Sequence, residues 1–263
     1  MYTKTIDFST YSSIRIGQPE EVLIIEKGDK IPPDRYLVGG ANNLLVSPAP
    51  PPLMMLGKDF AYIEERDGLL EIGAAMPSGR IVSYAKKHDI GGWEFAAKLP
   101  GTLGGMLAMN AGVKEHETFE HLHSVQIDGR WIDKEAIEHG YRFARLNGIA
   151  TAARFTIRRG YSQTLADALR ALRANQPADP SAGSAFKNPP GDAAGRLIEA
   201  AGLKGYRHGG MAWSTIHANF LINTGGGTYD EAIYLIDLAR DKVAHLADIQ
   251  LQPEIKILTR TLP

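Results

Sequence analysis

The sequence predicts an α+β fold that is not of the Rossmann type, and three observations carry that expectation. Up to about residue 160 the chain breaks into short, β-rich apolar segments separated by turn residues. The last third carries apolar residues at helical spacing instead. Between them there is no regular strand–helix–strand alternation, which a doubly wound dinucleotide fold requires.

Taken in order, 22–25 and 36–38 read as strands with Pro32-Pro33 as the turn between them. The proline-rich stretch 47–52 reads as a stiff spacer, and 53–56 as a buried strand. Asp67-Gly68 joins 62–63 to 69–72 as a hairpin, and Asp128-Gly129 joins 124–127 to 130–132 in the same way. Between them, Ser78 opens a helix with Ile81, Val82 and Ala85 on one face and Gly91-Gly92 at its end. The segment 150–158 is the closing strand of this region, and a change of composition near Gly160 marks a domain boundary. Beyond it, Leu165, Leu169 and Leu172 share a helical face stopped by Pro177. Asp192 is expected to cap the helix carrying Leu197, Ile198 and Ala201, with Gly202 just past its end. Thr228 and Glu231 form a capping box for a helix through Val243, and 255–258 is the final strand.

Composition excludes several classes of function. A net charge of −1 gives no reason to expect nucleic acid or an anionic membrane as partner, so any anion must be met by local residues. No cysteine is present, which removes disulfides, thiolate metal sites and cysteine nucleophiles and suits a reducing compartment. No apolar run has the length of a signal peptide or a membrane span, so a cytoplasmic protein is expected. His116, His121 and His123 suggest a metal, but nothing supplies the remaining ligands and no metal is expected.

The 28 glycines cluster after apolar segments, where backbone must approach a ligand closely. Gly39-Gly40-Ala41-Asn42-Asn43 exposes successive N–H groups that suit a pyrophosphate, although alone it reads more readily as a tight β-turn. Pro100-Gly101-Thr102-Leu103-Gly104-Gly105 and Asn110-Ala111-Gly112 form a second small-residue cluster, with Thr102 and Asn110 offering hydrogen bonds. Two such loops without a Rossmann pattern point to a flavin dinucleotide on a different scaffold. In 181–189, Gly183 frees the backbone, Pro189 blocks a helix, and Ser184, Lys187 and Asn188 can converge from one loop on an anionic ligand.

These motifs, with Met109, Tyr141-Arg142, His217-Ala218-Asn219-Phe220 and Pro253-Glu254, occur in the order found in UDP-N-acetylenolpyruvoylglucosamine reductases, which the chain resembles from about Tyr11 to Leu258. Ser13, Arg15 and Gly17 resemble that family's N-terminal motif. The resemblance implies a two-part, vanillyl-alcohol-oxidase-like (PCMH) FAD-binding region over 1–57 and 58–160, followed by an α+β substrate-binding domain over 161–263. It implies hydride transfer from NADPH through FAD to UDP-N-acetylglucosamine enolpyruvate, giving UDP-N-acetylmuramate for peptidoglycan.

By position, the resemblance assigns catalysis to Arg142, Ser184 and Glu254 and substrate binding to Tyr141, Lys187, Asn188 and Asn219. Asn219 reads equally as a buried structural amide. Gly39 through Asn43, Pro100, Gly101, Thr102, Gly104, Gly105, Asn110, Ala111 and Gly112 fall to FAD. Two departures stand out: Ala144 replaces the family's usual serine, and the chain has no room for the substrate-covering loop of longer members, so it resembles the shorter subtype. Another flavin enzyme of this fold, or a non-catalytic flavin or nucleotide-sugar binder, is the alternative.

Overall fold

Alternation and one bulge explain the first sheet. In Leu122–Ile127, Val125 and Ile127 alternate inward, and the bulge between Leu122 and Ser124 lets Leu122 turn inward while His123 faces solvent. A computed structural model describes residues 1–260. In it this strand lies in a five-stranded antiparallel sheet, in the order Arg130–Asp133, Leu122–Ile127, Ala150–Thr156, Leu69–Gly73, Ile63–Arg66. Both expected hairpins are present, with positive φ at Asp67 and Gly68 (54° and 77°) and at Asp128 and Gly129 (48° and 80°). That is the turn whose twist matches the flanking strands.

The helix Ser78–Lys87 packs Ile81 and Ala85 against Leu70, Ile72, Trp93 and Phe155 of the sheet's core. It stops short of the expected Gly91-Gly92, because Asp89 takes the left-handed turn itself (φ 54°). The closing strand likewise ends at Thr156, and the next helix is Gln163–Ala171, capped by Ser162. A small parallel sheet pairs Val22 through Ile25 with Leu53 through Leu56, and Tyr36 and Leu37 with Leu53 and Met54. No helix links these parallel strands, in keeping with the non-Rossmann expectation.

The chain forms two compact units, and it passes between them five times. The first comprises Met1–Lys4, Val22–Gly40 and Pro52–Ala174; the second comprises Thr5–Glu21, Ala41–Pro51 and the chain from Asn175 onward. Residues 261–263, the end of the expected third region, lie outside the described residues.

In the second unit the sheet runs Ser181–Ser184, Phe220–Asn223, Met211–Trp213, Arg207–His208, all antiparallel. Its inner face, with Trp213 and Leu221, packs on Leu197 and Ile198 of the helix Ala194–Ala200 and on Leu235, Ile236 and Ala239 of Tyr229–Ala247. The capping box is as expected: Thr228 Oγ1 accepts the Glu231 N–H (3.3 Å) and Glu231 Oε2 accepts the Thr228 N–H (3.0 Å). Lys256–Leu258 pairs in parallel with Leu44–Val46. Mixed strands and helices, sorted rather than alternating, make this an α+β protein.

Candidate active site

In the second unit, the stretch expected to be a loop is a strand as far as Ser184. The pairing of Ser181 with Ile222 and of Ser184 with Phe220 leaves an extra residue on the first strand, a bulge that falls where Gly183 has φ 80°. Only glycine takes that angle without strain. The bulge re-aims the half-buried Ser184, and Ala185, Phe186 and Lys187 then run past 252–255. The Ala185 carbonyl accepts the N–H of Glu254 (2.8 Å), and Lys187 N–H reaches the Gln252 carbonyl (2.9 Å). A single peptide therefore separates Ser184 from the bond that holds Glu254. The Lys187 ammonium has no protein partner among the described residues.

Asn219 is engaged as the buried structural amide that its sequence position also allowed. It is 3% exposed, its Oδ1 accepts the Phe186 N–H (3.0 Å) and its Nδ2 donates to the Phe186 carbonyl (2.8 Å). Its own carbonyl takes the Ala185 N–H (2.7 Å). Asn219 thus clamps three successive peptides after Ser184. His217 supports the clamp, since its Nδ1 accepts the Asn219 N–H (3.2 Å) and burial pushes the ring's pKa down, keeping it neutral.

Asn188 is exposed, and its Oδ1 accepts the Ala194 N–H (3.0 Å), capping the helix that Asp192 was expected to cap. Asp192 instead pairs with Arg196 one turn on, whose guanidinium lowers the carboxyl to about 2. From the glycine loop, Ala41 and Asn42 present their carbonyls to Ser13 N–H (3.2 Å) and Oγ (3.3 Å), and Asn43 Nδ2 donates to the Glu254 carbonyl (3.0 Å). Asn223, which sequence reasoning passed over, ties in the N-terminal motif by donating to the carbonyls of Ile14 (3.1 Å) and Arg15 (3.2 Å).

In the first unit, Leu103–Met109 is a helix rather than a loop, with Thr102 at its N-cap. The N–H groups of Leu103 and Gly104 are spent on the carbonyls of Met76 (3.0 Å) and Ala74 (2.8 Å). Gly101 is tied to the preceding helix, its carbonyl accepting the Ser78 N–H (3.0 Å). What faces Gly39 is Thr102 Oγ1 and the exposed Gly105 N–H, in the first helical turn where N–H groups lack intrahelical partners. A Cβ on residue 39 would sit 2.7 Å from Thr102 Oγ1, so glycine alone keeps this small cradle open.

Asn110 is buried and fully engaged within the protein. It is 1% exposed, its Oδ1 accepts the Phe119 N–H (3.1 Å), and its Nδ2 donates to Glu117 (2.7 Å) and the Gly140 carbonyl (3.2 Å). Both ends are used, so it braces the 110–119 turn. Ala111 and Gly112 join that turn, Ala111 through Thr118 and Gly112 by pairing with Glu117.

Arg142 occupies the two-residue turn of a hairpin, His139–Gly140 with Phe143–Ala144. Its φ of 60° is left-handed, which costs a non-glycine residue roughly 1–2 kcal/mol. Its Nη2 donates to the Gly112 carbonyl (2.9 Å), and its guanidinium lies 5.0 Å from the centre of the exposed Tyr141 ring. Ala144 stands opposite His139 and packs against the core, so the departure from the family's serine leaves this hydrogen bond of the guanidinium untouched. A second guanidinium missed in the sequence, Arg173, has its pKa lowered by burial and by the charge of Arg142. Among the described residues no three His, Asp or Glu side chains are placed to share a metal ion, and no helix is long and apolar enough to cross a membrane.

Comparison with known proteins agrees with this architecture. Residues 176–258 match the family model described as UDP-N-acetylenolpyruvoylglucosamine reductase, C-terminal domain. The chain is 46% identical over 262 residues to UDP-N-acetylenolpyruvoylglucosamine reductase of Helicobacter hepaticus, covering 98% of this chain and 100% of the relative. It is 42% identical over 258 residues to that of Helicobacter pylori, with the same coverage. Among solved structures it is similar to the crystal structure of UDP-N-acetylenolpyruvylglucosamine reductase (MurB) from Thermus caldophilus. The TM-score is 0.85 at 27% identity, covering 98% of this chain and 99% of that one.

Proposed function

The chain belongs to the UDP-N-acetylenolpyruvoylglucosamine reductase family, and on that premise we propose that it is an FAD enzyme reducing UDP-N-acetylglucosamine enolpyruvate to UDP-N-acetylmuramate at the expense of NADPH. Soluble reactants of this kind suit a cytoplasmic enzyme of peptidoglycan synthesis. In this reading 1–57 and 58–160 serve the flavin and 161–263 the sugar substrate.

The residues fit the cofactor. Gly39, Thr102 and Gly105 line a cradle that a single Cβ would fill, with a hydroxyl and a backbone N–H as donors to a pyrophosphate. Gly40 continues the chain beside it, and the turn at 110–112 braces Arg142. When bound, FAD supplies a two-electron carrier that accepts hydride from NADPH and returns it to the enolpyruvyl double bond.

The protein's own residues handle the charge and the proton. Hydride arrival on one vinyl carbon sends the electron pair toward the substrate carboxylate, giving an enolate-like intermediate. Arg142 meets that charge with a planar fork, already held in place through Gly112. Ser184 gives its hydroxyl proton to the carbon beside the carboxylate. A hydroxyl suffices because a carbanion-like centre is strongly basic and the donor's position is fixed. Glu254 shares the enol's proton, and Lys187, with Tyr141 and Asn188, meets the anionic parts of the nucleotide sugar.

The observation that supports this most is the joint at Ala185: the residue after Ser184 carries the carbonyl that holds Glu254, with Asn219 locking the strand behind it. The test is a visible spectrum of the purified protein, with NADPH added anaerobically and then the enolpyruvyl sugar. A flavin band that bleaches and returns supports the assignment. A band that bleaches but ignores the sugar removes the substrate, and absence of any flavin removes the cofactor.

A further inference from the structure

The last residue of the glycine loop does something a cofactor contact does not require. Asn43 Nδ2 donates to the Glu254 carbonyl (3.0 Å), and the Asn43 carbonyl accepts the Lys256 N–H (2.9 Å). Asn43 therefore brackets 254–256 and starts the parallel ladder that continues as Leu44 with Lys256. The Glu254 residue is pinned from two sides, its N–H by the Ala185 carbonyl (2.8 Å) and its carbonyl by Asn43. The neighbouring loop residues are themselves fixed, since Ser13 holds the carbonyls of Ala41 and Asn42.

Pro253, immediately before Glu254, has no N–H with which to anchor the chain. With the Asn43 side chain removed, the Glu254 carbonyl loses this donor, and the Glu254–Ile255 peptide keeps the longer Ile255 N–H bond to the Ala185 carbonyl (3.4 Å), so it is held less tightly. A shift of that peptide moves the carboxylate relative to the Ser184 strand. We propose that Asn43 is a positioning residue for Glu254, setting the carboxylate's orientation through the Glu254 carbonyl rather than acting on the cofactor. The inference rests on the reading of Glu254 as a catalytic carboxylate. It makes the far end of the glycine loop part of the substrate half of the reaction.

The test uses the holoenzyme in four forms: wild type, Asn43→Ala, Glu254→Gln and the double variant. Three readouts are taken: reoxidation of the reduced enzyme by saturating enolpyruvyl sugar, flavin affinity by fluorescence titration, and amide exchange of 252–258. Asn43→Ala is expected to slow reoxidation by about 10- to 100-fold, the range for a reacting group displaced by up to an ångström. Flavin affinity should stay within about threefold, less than the loss of one typical hydrogen bond. Amide exchange should quicken at 254–256, and the double variant should be no slower than Glu254→Gln alone, because Asn43 acts through Glu254. Weakened flavin binding with normal reoxidation, or slowing that multiplies in the double variant, overturns the proposal. If Glu254→Gln reoxidises normally, the assignment of Glu254 fails and this inference with it. If Glu254→Gln is slow and Asn43→Ala normal, the inference alone fails. Should Asn43→Ala not fold, Asn43→Asp replaces it. A carboxylate at this position cannot donate while ionised, so the variant's rate relative to wild type should rise as pH falls toward the carboxyl's ordinary value of about 3.9. A ratio that does not change with pH contradicts the proposal.

Discussion

Asn219→Ala removes the two side-chain hydrogen bonds that hold the Phe186 backbone (3.0 and 2.8 Å) while leaving that segment buried. Each stranded N–H or carbonyl costs about 1–3 kcal/mol in the interior, so the pair amounts to about 4 kcal/mol. For a chain of this size each kcal/mol lowers the melting temperature by roughly 2–4 °C, giving a drop of about 8–16 °C. Thermal and urea unfolding of the purified variant measure it directly. Asn188→Ala is the control, since it deletes one exposed helix cap and should cost only about 1 kcal/mol. A functional consequence accompanies the structural one: Ala185 and Phe186 follow Ser184, so reoxidation by substrate should slow more than reduction by NADPH. A melting temperature within about 2 °C of wild type would refute the reasoning, because it would mean that the Phe186 groups find other partners.

Other predictions come from the same geometry. His217 takes its proton at lower pH in the folded protein than the ordinary 6.5, through burial first and the Lys204 charge as well. The unfolded chain is protonated earlier, so stability is full above about pH 6.5 and falls as pH drops from there through the folded-state value. Urea midpoints at about pH 7.5 and 5.5, either side of the ordinary value, should differ less in His217→Gln than in wild type; an equal difference contradicts the assignment. Gly39→Ala drives a Cβ against Thr102 Oγ1 and fills the cradle, an overpacking of about 1–3 kcal/mol that should weaken flavin binding at least about fivefold. Unchanged affinity in a fluorescence titration would remove the cradle from the site. Arg142→Lys replaces a planar fork by a point charge and should lower substrate turnover by about 100-fold, as when a charge-stabilising donor is lost. Near-normal kinetics would remove Arg142 from the chemistry.

What could be read from the sequence was local. Asp67-Gly68 and Asp128-Gly129 specify their turns within two residues, and Thr228 with Glu231 specifies a helix start within four. The family resemblance points to Ser184, Arg142 and Glu254 by motif order alone, and half-reaction assays test that reading. Pairings across the chain were not legible. Ser181–Ser184 was expected to be a loop because its partner, Phe220–Asn223, lies far along the sequence. The partners of the amides were not legible for a related reason: an asparagine's type announces a hydrogen bond but not its recipient. Asn110 braces a nearby turn, Asn219 clamps a segment 33 residues away, and Asn43 reaches a carbonyl 211 residues away. The glycine pair at 91–92 failed as a helix stop because Asp89 adopted the left-handed turn before it was needed.

The central claim, that Ser184 delivers the proton at the carbon beside the carboxylate, is tested most directly by rapid mixing of Ser184→Ala in each half-reaction. The account predicts reduction by NADPH within about threefold of wild type. Reoxidation by the enolpyruvyl sugar should be slower by about 100-fold or more, the contribution expected of a positioned proton donor. Equal losses in both half-reactions, or reoxidation at the wild-type rate, would contradict it.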